Sequence, residues 1–124
     1  MSAGSMAAGL RVLDASLARL RLDVHILQSR ARVVAGEVAY YAESVAGFEA
    51  EIRDLGEAAQ DPWFEAIRPG IEDVRTARTA TLAAHRADLQ KFQAEREDLA
   101  GKVAAAEGRL RELEALRATV GGDS

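Results

Sequence analysis

His25 and His85 are the only imidazoles in the chain, and there is no cysteine. A metal centre needs several donors converging at about 2 Å. His85 falls on an apolar helical stripe described below and His25 falls off it, so the two are not expected to meet. His85 is expected to make a local hydrogen bond instead. Four carboxylates, Asp54, Glu57, Asp61 and Glu65, flank Pro62-Trp63. Such a set suits Mg²⁺ chemistry at a tip that a regulator inserts into a partner enzyme, as transcript-cleavage factors do. That is the alternative reading of this chain. The bulky Trp63-Phe64 and the lack of a globular anchor domain count against it. Glu95 and Asp98 lie on an open helix surface without a desolvating pocket, which disfavours acid–base work. There is no Gly-rich phosphate loop, no Ser/His/Asp set and no His-Glu-x-x-His. The sequence therefore offers no catalytic residue, no cofactor site and no metal site, and it is read as non-enzymatic.

Two kinds of apolar side chain stand out instead. Trp63, Phe64 and Ile67 concentrate apolar area between two long helical stretches. They either plug the end of a coil or form a docking knob, since Trp often anchors interfaces. Tyr40, Val33, Ile26, Leu22 and Val12 form a second, weaker apolar strip on the first helix. A single helix partner cannot cover both that strip and the main seam. The strip implies a further helix, from a second copy or another protein.

The elements that carry these residues follow from periodicity. Leu10, Leu13, Leu17, Leu20, Val24, Leu27, Ala31, Val34, Val38, Tyr41, Val45, Phe48, Ile52 and Leu55 alternate steps of three and four. A seam with a mean period of about 3.5 residues marks a helix that supercoils against a partner. A rougher seam follows, with Ile71, Arg78, His85, Phe92, Leu99, Ala106 and Leu113 at one heptad position. Arg75, Leu82, Leu89, Arg96, Val103, Leu110 and Arg117 occupy the other. The arginines are expected to lay their stems over the core and send their heads to flanking acids. Asp61-Pro62 reads as an N-cap with Pro at the first helical position. Pro69 and Gly70 read as a second interruption. The expected organisation is a disordered 1–9, a helix over 10–57, a turn over 58–69, a helix over 70–118 and a disordered 119–124.

These elements predict an all-α fold: a long antiparallel two-helix coiled-coil hairpin that associates into a multi-helix bundle. A fold point near Asp61–Pro62 places Ile52 against Ile71, Tyr41 against Leu82 and Val34 against Leu89. It also sets Ala31 against Phe92, Val24 against Leu99, Leu17 against Ala106 and Leu10 against Leu113, with a half-heptad slip left open. Between Glu37 and Glu65 there are eight acids and one base. Fold-back sets them against Arg75, Arg78 and Arg86, which supports the antiparallel orientation.

The chain has 124 residues, a formal net charge of −4 and 5% aromatics. An acidic chain lacks the basic stripe of a nucleic-acid binder. No stretch approaches the roughly 20 apolar residues of a membrane span, and 1–9 lacks the basic start and apolar run of a secretory signal. The expectation is a cytoplasmic protein that binds neither nucleic acid nor membrane interiors. Arg outnumbers Lys fourteen to two, which together with abundant Ala suggests a GC-rich bacterial genome.

A Trp between two helices resembles the WXG secretion-substrate hairpins. Trp63 is followed by Phe64-Glu65 where that family has x-Gly, so the chain is not assigned to it. In architecture alone the hairpin also resembles the coiled-coil stalks of flagellar and type III secretion export ATPases. The expected role is an adaptor, stalk or chaperone-like structural subunit of a bacterial assembly such as a secretion apparatus. It would contact protein partners, and further copies of itself, through helix faces.

Overall fold

The computed structural model describes residues 3–121 and is an all-α helical hairpin. Helix α1 runs Ala3–Gln60, a short 3-10 helix runs Pro62–Ile67, and α2 runs Arg68–Gly121. Both long helices overrun their expected bounds. Of the termini expected to be disordered, 3–9 and 119–121 are helical, while 1–2 and 122–124 lie outside the described residues. Adding a residue to an existing helix is cheap compared with nucleating one, and Ala3, Ala7 and Ala8 favour the continuation.

The connection is shorter than the expected 58–69 because Pro69 does not interrupt. It sits in the first turn of α2, where a missing N–H would have had no helical partner anyway. Arg68 adopts helical angles (φ −53°, ψ −43°) despite preceding a proline, and its backbone N–H donates to the Glu65 carbonyl. Its guanidinium Nε donates to the Ala59 carbonyl at 2.6 Å, satisfying one of the orphan acceptors at the end of α1. On the other side of the turn, Asp61 is extended (φ −77°, ψ 124°) and its carboxylate accepts from the Trp63 N–H at 2.9 Å. With Pro62 following, this is the N-cap arrangement that Asp-Pro predicts.

The helices pack in two compact units. The first holds the turn, Val34–Glu95. Here Val34, Val38, Val45, Ala59 and Leu82 are buried. Tyr41 stacks on Phe92 with ring centroids 5.5 Å apart and an interplanar angle of 17°. His85 is flanked edge-on by Tyr41 at 5.5 Å and Phe48 at 5.1 Å. Ion pairs cross between the helices, among them Arg78 Nε to Glu51 Oε2 at 2.9 Å and Arg86 Nη2 to Glu49 Oε1 at 3.2 Å. Both are exposed and each contributes only a few tenths of a kcal/mol, but they fix the antiparallel sense that the charge pattern suggested.

The second unit pairs the described part of 1–33 with that of 96–124. Leu17, Val24, Leu99 and Ala106 are buried there. Arg117 Nε donates to Asp14 Oδ1 at 2.7 Å, and Gln28 Nε2 donates to Glu107 Oε1 at 3.2 Å. The Asp14 hydrogen bond, together with its charge, raises the Arg117 guanidinium above its ordinary pKa.

The register differs from the one expected. Tyr41 meets Phe92 and His85 rather than Leu82, and Phe92 is not spent on Ala31. Asp14 reaches Arg117, which the Leu10–Leu113 pairing would have carried past. In each unit the pairing is displaced by about one heptad along α2. The cause lies in the turn. The chain reverses about the centre of the 3-10 helix, not at Asp61–Pro62, because α1 persists to Gln60 and the connecting turn follows it.

Candidate functional site

In the turn unit the 3-10 helix carries all three apolar residues of the turn. Phe64 is half-buried, whereas Trp63 is 85% exposed and Ile67 57% exposed. The Trp63 indole stands in solvent on a backbone pinned by the Asp61 carboxylate.

The four tip carboxylates are not gathered. Asp61 is engaged by the Trp63 N–H, Asp54 lies 3.9 Å from its neighbour Arg53, and Glu57 and Glu65 are exposed. Among the described residues, no group of three or more His, Asp or Glu side chains could hold a metal ion. Beside the turn, Glu51, Asp54, Leu55, Ala58, Val74 and Arg78 line a shallow open groove.

The strip residues of α1 are all outside the core. In the chain-end unit Leu22, Ile26 and Val33 are exposed, as are Val12 and Met6. In the turn unit Tyr40 is exposed and meets Tyr41 edge-to-face at 5.1 Å. Adjacent residues show how sharply the helix separates its faces: Val34 is 0% exposed and Val33 53%.

His85 departs from expectation. Its Nδ1 is buried and has no hydrogen-bond partner. It sits among the Tyr41 and Phe48 rings, where it fills space but leaves a polar atom unsatisfied, at a cost of about 1–3 kcal/mol. His85→Leu is accordingly expected to raise stability by about 1 kcal/mol, read as a higher denaturation midpoint with unchanged helical circular dichroism. The spacing of Tyr41, Phe48 and His85 on facing seams was the available signal for this cluster. It needs the register to be read. The Arg68 cap on Ala59 carried no periodic signal at all.

Comparison with protein-family models, curated proteins and solved structures finds no match to this chain. Among the described residues no helix is long and apolar enough to cross a membrane.

Proposed function

We propose that this chain is a non-enzymatic coiled-coil interaction protein. It serves as an adaptor, stalk or chaperone-like structural subunit of a larger bacterial assembly, with a secretion apparatus as one candidate, in the cytoplasm. The hairpin seams hold the scaffold. Work is done by side chains outside them, namely Trp63, Phe64 and Ile67 at the turn and the Leu22, Ile26, Val33 and Tyr40 positions on α1.

The observation that carries this reading is the exposure of Trp63, at 85%, on a turn whose backbone is held by a cap. Leaving the largest apolar side chain in water forgoes the burial energy it would gain in a core, about 25 cal/mol per Å². A rigidly presented aromatic loses little entropy when it enters a pocket on a partner. The test is affinity capture from native bacterial lysate with wild type, Trp63→Ala and a Tyr40→Ala/Ile26→Asp variant. Partners held by the turn are lost with the first variant, and partners held by the strip with the second. If every captured protein survives both changes, these surfaces are not the contacts.

A further inference from the structure

The chain-end unit carries a groove that matches the exposed Trp63 knob in size and in charge. We propose that the turn unit of one copy docks on the chain-end unit of another copy of this chain. The Trp63 indole of the first enters a groove lined by Met6, Leu10, Val12, Leu13 and Val120 of the second. The proposal rests on the reading of Trp63 as a docking side chain and names what receives it.

The groove belongs wholly to the chain-end unit. It encloses about 420 Å³, and Ser5 and Ser16 are its only polar lining residues. Pockets that take organic groups run from about 300 to 1,000 Å³ and are mostly apolar, so an indole fits. Met6, Val12 and Val120 are exposed there, which leaves the groove uncovered in a single copy. The knob is equally uncovered, since Trp63 stands in solvent on its capped turn. Joining the two removes apolar surface on both sides from water.

Shape alone would admit other receivers. Charge selects this one. Residues 54–73 carry six acids and a single base, Arg68, and that guanidinium is turned onto the Ala59 carbonyl. The segments that form the groove end, 3–21 and 109–121, carry six arginines against three acids. One of those acids, Asp14, is already bound by Arg117 at 2.7 Å. An acidic knob therefore meets a basic rim, and complementary potentials of this kind steer encounter and suppress wrong partners. Turn-on-turn contact is disfavoured by the same count. Glu51 and Asp54 line the groove beside the turn, so a second Trp63 arriving there would bring acids onto acids. The proposed contact joins two different surfaces and is heterologous. Copies add head to tail, closing into a ring or growing as an open chain.

Trp63 is the only tryptophan, so its emission reports on the contact directly. Sedimentation velocity and fluorescence are followed on the pure protein as its concentration is raised. Mass and a blue shift of the emission are expected to rise together, and added salt should weaken both. Trp63→Ala and Val12→Glu are each expected to weaken self-association by about tenfold or more. Both positions are exposed, so helical circular dichroism should match wild type. The decisive step is mixing. Trp63→Ala keeps an intact groove and Val12→Glu keeps an intact knob. Together they should form a dimer that cannot extend, and the emission of Val12→Glu should shift to the blue when Trp63→Ala is added. A monomer at every concentration overturns the proposal. So does self-association that survives Trp63→Ala, or a mixture that stays monomeric. If Trp63→Ala nonetheless loses partners in lysate capture, Trp63 remains a docking side chain and only its receiver is wrong.

Discussion

Val34→Asp is expected to unfold the turn unit, whereas the same change one residue earlier, Val33→Asp, leaves the hairpin intact. Val34 is 0% exposed and Val33 53%. An aspartate at 34 would place a carboxylate in the seam with no polar partner. An uncompensated buried charge costs about 3–5 kcal/mol, a large part of the stability of any small domain. At 33 the carboxylate remains in water, and such surface changes usually fall within about 0.5 kcal/mol. Thermal melts followed by far-ultraviolet circular dichroism distinguish the two. Similar losses for both variants would mean that the division of α1 into a core face and an open face is wrong.

Phe92→Ala is expected to be the most costly truncation in the aromatic layer, at about 3 kcal/mol, the low end for a phenyl ring because Phe92 is half-buried, since it removes the ring stacked on Tyr41. Combining it with Tyr41→Leu in a double-mutant cycle measures the contact itself. Aromatic pairs contribute about 0.5–1.5 kcal/mol beyond the area they bury, so the two losses should fall short of additivity by that amount. Residues without mutual contact add within about 0.3–0.5 kcal/mol. Additive behaviour here would return the hairpin to the register centred on Asp61–Pro62, in which Phe92 faces Ala31. The cycle thus tests the heptad displacement and not merely the presence of a core.

The amino-acid sequence by itself determined the fold class, the two seams and the orientation of the helices. The Leu10-to-Leu55 ladder defines a buried face by its period. The run of acids from Glu37 to Glu65 meets arginines only if the chain doubles back, and the Glu51–Arg78 and Glu49–Arg86 pairs follow from that. The strip of Leu22, Ile26, Val33 and Tyr40 was also legible, because helical periodicity states which residues lie off the seam. Register was not. A heptad pattern is unchanged by a slip of seven, so every layer of the seam fits almost as well one repeat away. What breaks that degeneracy is the geometry of the turn: the Asp61 cap, the 3-10 helix over Pro62–Ile67 and the Arg68 bond to the Ala59 carbonyl. None of these has a period. The same turn decides that Phe64 is half-buried and Trp63 faces water, a division that composition cannot make because adjacent aromatics look alike until the backbone assigns each a side. Periodic patterning specifies faces. Only the folded turn, by fixing where the chain reverses, specifies which faces meet.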